Sequence, residues 1–151
     1  MSNGQNNKSS GSHRIVVGID GSPSSNAALG WAIRQAELTG STLQALTTWE
    51  WPSGFGWPMP FPSDYDPASD AQKMLDDVLE PLKKDHPHVT VSPVVVEGHP
   101  APILVEASRG AELLVVGNRG HGGFAGMLLG SVSKYCASNA HCPTLIFRDD
   151  E

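Results

Sequence analysis

The sequence predicts one α/β domain, built on an open, mostly parallel sheet with helices on both faces. Five short β-like runs alternate along the chain with four helical patterns, and two of these runs are apolar without interruption. Uninterrupted apolar runs are typical of strands covered on both faces, and strict alternation of strand and helix favours parallel strands joined by right-handed crossovers. The length of 151 residues suits one ordinary domain and is too short for two.

The strands are predicted at the short apolar runs. The first run reads IVVGI and the fourth LLVVG, with no polar residue at alternate positions, so both are expected to be buried on two sides. The remaining three runs are less uniform but carry the β-branched and apolar residues that strands favour. The five predicted strands cover residues 14–19, 42–48, 89–96, 113–116 and 144–147.

Four helices are predicted between the strands. Ser22 is suited to cap the first helix, Pro23 takes its first position and Gly40 closes it, which is the usual placement of these residue types. The fourth helix is expected to be capped at its start by Ser131 or Ser133. The predicted helices cover residues 22–38, 70–84, 101–108 and 131–139.

Composition and charge exclude several classes of protein. The chain has 10 Lys and Arg against 16 Asp and Glu, which gives a net charge of −6. A non-specific nucleic-acid binder or a polybasic membrane-surface protein needs a broad basic face, so neither nucleic acid nor a membrane is expected as a partner. No apolar run approaches the ~20 residues that span a bilayer.

The first residues and the cysteines indicate a cytoplasmic protein. Residues 1–12 are rich in Ser, Asn and Gly and lack the apolar centre of a secretory signal. We expect them to form a flexible tail before a single domain over residues 13–151. Cys136 and Cys142 are expected to be ordinary thiols in a reducing compartment, not a disulfide.

The segment from residue 49 to residue 67 departs from the alternating pattern. It carries three of the four tryptophans and is rich in proline, which excludes a helix or a paired strand there. One interpretation is a compact loop whose rings pack on their own domain. The other is a lid over a site or a contact with a partner subunit, since the segment follows the carboxyl end of the second strand.

Two segments at the carboxyl ends of strands carry candidate binding residues, because ligands of open α/β sheets bind at that edge. The first is the turn over residues 18–22, after strand one. The Asp20 carboxylate could accept hydrogen bonds from an adenine amino group or a ribose hydroxyl. It could equally hold the turn as a cap, and the two roles are compatible.

The second segment is the glycine-rich stretch over residues 117–133, in which six of seventeen residues are glycine. Glycine lets backbone amides approach an anion closely, and the stretch leads into a helix whose N-terminus attracts phosphate. Ser131 and Ser133 add hydroxyl donors. Arg119 is the only charged side chain in the stretch, apart from the titratable His121, and could offset phosphate charge.

The spacing of these glycines resembles the nucleotide-binding signature of the universal stress protein family. Gly117 and Gly120 are separated by two residues, and nine more lead to Gly130 and Ser131. The first strand with its Asp-Gly-Ser turn, the fourth strand and the His141-Cys-Pro approach to the fifth strand are similar to that family as well. The resemblance covers about 135 residues, and the Trp- and Pro-rich loop looks like that of actinobacterial members.

The resemblance implies a Rossmann-like sheet of order 3-2-1-4-5 and the ATP-binding branch of the family, with or without Mg²⁺. It also implies a homodimer that pairs the fifth strand, residues 144–147, a role in the stress response and an unknown protein partner. Adenine and ribose would lie against Gly18, Ile19, Asp20 and Thr48. The ribose and phosphates would lie against Gly117, Arg119, Gly120, Gly130, Ser131, Val132 and Ser133. No metal ligands and no catalytic residues are implied.

Three functions stay open once the resemblance is considered. The favoured one is a regulatory module that binds ATP, because only Asp20 offers a carboxylate at the functional edge and phosphoryl transfer needs more groups than that. The second is a slow ATPase or phosphotransferase in the same pocket, and the third is a cyclic AMP-binding protein. A dinucleotide enzyme is disfavoured, because the G-x-G-x-x-A string from Gly120 lacks the acidic residue expected about 20 positions later.

Overall fold

The computed structural model describes residues 13–51, 62–120 and 129–149. The predicted tail 1–12, most of the Trp- and Pro-rich loop and the centre of the glycine-rich stretch with His121 lie outside the described residues. Within them the chain alternates strand and helix from one end to the other, as the sequence predicts.

Five parallel strands form one sheet of order 3-2-1-4-5, which confirms the predicted fold class and strand order. The central strand β1 pairs with β2 on one side and with β4 on the other. A glycine is the last residue of each of these two strands, Gly18 in β1 and Gly117 in β4. The strands are β1 Arg14–Gly18, β2 Thr42–Trp49, β3 Val91–Glu97, β4 Leu113–Gly117 and β5 Thr144–Phe147.

Four helices connect the strands, at bounds close to those predicted. The first has Ser22 as its N-cap and Gly40 as its left-handed C-cap, as expected. The second begins at Pro67, three residues earlier than predicted, because the Asp66 side chain accepts a hydrogen bond from the Ser69 amide and proline suits the first helical position. The helices are α1 Pro23–Thr39, α2 Pro67–Asp85, α3 Pro100–Ala107 and α4 Ser131–Asn139.

The helices divide between the two faces of the sheet, as the fold class requires. On one face α1 and α2 bury Leu29, Ile33 and Leu75 against alternate residues of the strands. On the other face α3 and α4 bury Leu104 and Cys136 against the remaining positions. The sheet is therefore covered on both sides at its centre, which accounts for the uninterrupted apolar runs in β1 and β4.

Both cysteines are free thiols, as predicted. Cys136 is fully buried on the core-facing side of α4, and this burial raises the pKa of its thiol to about 11. Burial also raises the pKa of the Cys142 thiol, against an opposing effect of the Arg14 charge. Neither cysteine therefore has the depressed pKa that a reactive thiolate requires.

Candidate functional site

A cavity of about 440 Å³ opens at the carboxyl edge of the sheet, where β1 and β4 lie side by side and the chain leaves them in opposite directions. This is the topological switch point, where open α/β sheets bind ligands, and the volume falls within the range of small-molecule pockets. All eleven site residues predicted from the sequence line the cavity: Gly18, Ile19, Asp20, Thr48, Gly117, Arg119, Gly120, Gly130, Ser131, Val132 and Ser133.

Five further residues complete the lining, and sequence reasoning missed them. They come from β2, β4, α1 and α3, and all but one are apolar: Ser25, Leu46, Pro100, Leu104 and Val116. Leu46 and Val116 belong to predicted strands, but the sequence does not show which side of a strand faces a cavity. Pro100 and Leu104 come from α3, whose contribution depends on how that helix crosses the sheet.

The turn between β1 and α1 is held by hydrogen bonds among its own residues. The Ser22 amide donates to Asp20 Oδ1 at 2.9 Å, and the Ser25 amide donates to Ser22 Oγ at 3.2 Å. The Asp20 amide donates to Ser25 Oγ, and the Ile19 amide donates to the Leu46 carbonyl. Asp20 thus holds the turn before the Ser22 N-cap, and the amides of Ile19, Asp20, Ser22 and Ser25 are all engaged within the protein.

Gly117 allows the start of α1 to approach β4 closely. A Cβ at this position would lie 2.4 Å from Ser24 Oγ, 2.8 Å from the Ser24 carbonyl carbon and 2.9 Å from the Ser25 nitrogen. Contacts this short with the backbone of a helix cannot be relieved by a side-chain rotation. Gly117 therefore has a packing role that the sequence did not reveal, besides its place in the cavity wall.

Asn118 is a buried residue that makes hydrogen bonds both to the start of α1 and to the start of α4. It is 4% exposed, and its side-chain Oδ1 accepts a hydrogen bond from Ser24 Oγ at 2.8 Å. The backbone amide of Asn118 donates to the same Ser24 oxygen at 2.9 Å. Its carbonyl accepts from the Gly130 amide at 2.7 Å and from Ser133 Oγ at 3.2 Å. The start of α1 and the start of α4 are therefore held by one buried residue.

The start of α4 differs from the prediction that a serine caps it. Gly130 is the N-cap and no side chain caps the helix, while Ser133 Oγ donates to the Gly130 carbonyl and so acts as a donor at this end. The amides of Ser131, Val132 and Ser133 have no hydrogen-bond partner among the described residues. Three unsatisfied amides at the positive end of a helix dipole, facing a cavity, favour an anion.

Gly130 is not required by the backbone at this position. Its φ of −77° and ψ of 174° are open to any residue. A Cβ would make ordinary contacts, 3.6 Å from Arg119 Cα and from the Gly120 nitrogen. Contacts with the described residues therefore do not explain the glycine, whereas the close approach of a ligand to the helix start would.

Arg119 lies in the cavity wall, and its Nη2 is 3.3 Å from Asp149 Oδ1. The side chains are 24% and 14% exposed. Arg119 and Asp20 are the only charged residues among those that line the cavity in the described part of the chain. Gly120 lies directly against Asp20, since a Cβ on Gly120 would be 2.9 Å from Asp20 Oδ2.

The aromatic segment is described only at its ends. The ring centroids of Trp49 and Trp51 are 5.7 Å apart in an edge-to-face arrangement, and those of Trp51 and Tyr65 are 5.9 Å apart.

Among the residues that the structure describes, no group of three or more His, Cys, Asp or Glu is placed to hold a metal ion. None of the helices in the same ranges has the length and apolar character that a membrane crossing requires.

A doubly wound parallel sheet with a cavity at its switch point, walled by a glycine-rich stretch and an uncapped helix, belongs to the Rossmann-like class of α/β domains. Residues 11–148 match the Universal stress protein family, and the chain belongs to that family. It is 38% identical to Universal stress protein Rv2623 of Mycobacterium tuberculosis and 40% identical to Universal stress protein Mb2019 of Mycobacterium bovis. These mycobacterial relatives agree with the actinobacterial type expected from the sequence.

Each alignment covers 89% of this chain but only 45% and 43% of those two proteins, so the chain spans less than half the length of the curated relatives it matches. Among solved structures, the chain is similar to a universal stress protein crystallised in complex with cAMP, with 29% identity and a TM-score of 0.68. That comparison covers 91% of this chain and 98% of the other.

Proposed function

We propose that this chain is an adenine-nucleotide-binding module of the universal stress protein family, with ATP as its ligand. The uncapped start of α4 at the cavity carries the proposal. The amides of Ser131, Val132 and Ser133 offer donors to phosphate oxygens, and Gly130 leaves the space through which a phosphate would approach. The Ser131 and Ser133 hydroxyls add two polar groups to the same wall.

The nucleoside would occupy the opposite half of the cavity. Leu46, Leu104 and Val116 form an apolar surface suited to the faces of a purine ring, and the Thr48 backbone lies at its edge. Asp20 and the carbonyls of Gly18 and Ile19 supply acceptors for the adenine amino group or the ribose hydroxyls. This division places donors at the phosphate end and acceptors at the nucleoside end, as an adenine nucleotide requires.

ATP is favoured over a shorter nucleotide by the length of the polar wall, which runs from Gly117 and Gly120 to Ser133. A Mg²⁺ ion would be held mainly by phosphate oxygens, since the described residues offer no cluster of protein ligands. Cyclic AMP is the second candidate, supported by the similar universal stress protein crystallised with cAMP. A single cyclic phosphate would use the amides of α4 and leave the Gly117–Gly120 wall without a partner.

A regulatory binding role fits the cavity better than catalysis. Phosphoryl transfer needs a base or water-positioning group together with metal ligands near the terminal phosphate. The charged residues among the described lining are Asp20 and Arg119, and we assign Asp20 to the adenine and ribose. We place the module in the cytoplasm, where it would signal nucleotide occupancy to a protein partner during stress.

A homodimer through β5 is part of the proposal. β5 is the edge strand next to β4, and its residues Thr144–Phe147 are half-buried in the isolated chain, with no proline or charge. The opposite edge, β3, carries Pro93, which cannot donate to a further strand. Sedimentation should therefore give a dimer mass, and Thr144→Lys, which adds a charge to β5 outside the apolar core clusters, should give a monomer.

Calorimetry with ATP, ADP, AMP and cyclic AMP tests the proposed ligand. We expect ATP to bind and the Gly130→Val variant to show no binding at millimolar concentration, because the branched side chain fills the approach to α4. The melting temperature should change little, since the backbone conformation suits valine. Gly30→Val, in the middle of α1 on the other face of the sheet, is the matched control and should bind ATP as the parent protein does. If Gly130→Val retained its ATP affinity, the phosphates would not lie at α4.

A further inference from the structure

We propose that Asp149 is a specificity-determining residue of this cavity, because its carboxylate holds the Arg119 guanidinium and so reduces the preference of the cavity for ATP over nucleotides with fewer phosphates. The inference rests on the proposed function, and it concerns which adenine nucleotide the cavity selects. Asp149 does not line the cavity and had no place in the sequence argument. It acts through Arg119, which does line it.

The ion pair is held in place by the backbone on both sides. The Asn118 amide, one residue before Arg119, donates to the Phe147 carbonyl at 2.9 Å, two residues before Asp149. Gly117 and Phe147 are also register partners of β4 and β5. Arg119 and Asp149 therefore leave adjacent parallel strands side by side, and their charged groups meet at 3.3 Å with low exposure.

The pairing changes the charge that a ligand would meet. Arg119 is the one Lys or Arg among the lining residues that the structure describes, and Asp149 compensates its charge. With Asp20 included, the three charged groups near the cavity sum to one negative charge. A single phosphate held by the amides of α4 brings less charge to this pair than a chain of two or three phosphates does. A longer phosphate chain that reaches Arg119 must compete with the Asp149 carboxylate for the same donors.

The consequence is a graded preference. The electrostatic cost of Asp149 grows with the number of phosphate charges brought near it, so it is largest for ATP, smaller for ADP and smallest for AMP and cyclic AMP. A purely structural ion pair, which only fastens the end of the chain, would change stability and affect all four nucleotides alike. The change in each of the four affinities on removal of the Asp149 charge separates these two roles.

The experiment compares the parent protein with Asp149→Asn by calorimetry, with the four nucleotides at one fixed ionic strength. We expect the ATP dissociation constant to fall about ten-fold, as one nearby opposing charge is removed, and those of AMP and cyclic AMP to change by less than about two-fold. Asp149→Glu keeps the charge and should show the same ratio of ATP to AMP affinity as the parent protein. Asp76→Asn, an exposed residue of α2 on the other face, removes the same charge remotely and is the matched control.

A double-mutant cycle with Arg119→Gln completes the test. If Asp149 acts through Arg119, then Asp149→Asn should no longer change the ratio of ATP to AMP affinity in the Arg119→Gln background. A parent-like ratio of ATP to AMP affinity in Asp149→Asn, or an equal change for all four nucleotides, would overturn this inference and leave the proposed function intact. Absence of nucleotide binding in both the parent and Asp149→Asn would overturn the proposed function, and this inference with it.

Discussion

The two helices that start at the cavity differ in the hydrogen bonds made by the amides of their first turns. Both α1 and α4 follow a central strand, and both begin after a glycine-containing turn. At α1, Asp20 accepts from the Ser22 amide and Ser22 Oγ accepts from the Ser25 amide, so side chains of the turn cap this helix start. At α4, Gly130 supplies no side chain, and the first-turn amides have no partner among the described residues.

This difference shows how one structural element serves two purposes. A helix start has up to four unsatisfied amides, and these can be used by a capping side chain or presented to a ligand. The identity of a single residue, serine or glycine at the N-cap, decides between them. The α1 turn contributes stability and acceptors, whereas the α4 start contributes donors for an anion.

The largest expected effect concerns the closeness of the two helix starts. Gly117→Ala should lower the free energy of unfolding by about 3 kcal/mol, since its Cβ would meet the backbone of Ser24 and Ser25 at under 3 Å. Urea unfolding measures the loss. Gly18→Ala, at the equivalent end of β1, is the matched control and should cost less, because its nearest neighbour is the movable end of the Leu104 side chain. Equal losses in the two variants would contradict this account of Gly117.

The next effect would convert α4 into a helix start of the α1 kind. In Gly130→Asp the new carboxylate can accept from the first-turn amides and repels phosphate. We expect ATP binding to weaken by at least about 2 kcal/mol and the free energy of unfolding to rise by a few tenths of a kcal/mol.

Calorimetry and thermal unfolding follow the two opposite changes in Gly130→Asp. Gly130→Ala, which adds volume without a cap or a charge, separates the steric contribution from the electrostatic one. A Gly130→Asp protein that kept the parent affinity for ATP would show that these amides do not bind phosphate.

The smallest effect removes the cap of α1. Ser22→Ala leaves the Ser25 amide without its side-chain acceptor and should cost about 1 kcal/mol of stability. The ATP affinity of the folded protein should change far less than in Gly130→Asp. Asp66→Ala removes the cap of α2, away from the cavity, and serves as the control for a lost cap. If Ser22→Ala reduced ATP affinity more than Gly130→Asp does, the assignment of the two helix starts would be reversed.

Much of the cavity was predictable because its signals are local. The eleven predicted residues follow the ends of β1, β2 and β4 or begin α4, and the parallel sheet brings those ends to one edge. The cap of α4 was predicted wrongly, because Ser131 and Ser133 suit a cap equally well by residue type. Whether a serine or the preceding glycine takes the N-cap depends on where the backbone turns, and here the Gly130 amide is held by the Asn118 carbonyl.

The sequence by itself determined the fold class, the strand order through the family resemblance, and the edge at which a ligand would bind. These follow from periodicity, turn residues and glycine spacing, which are properties of short segments. The tertiary structure alone decided the contacts of Asn118 and Asp149. Ser24 and Asn118 are 94 residues apart, and Arg119 and Asp149 are 30 apart. Such pairs leave no local pattern, because their contact depends on which strands the sheet places side by side.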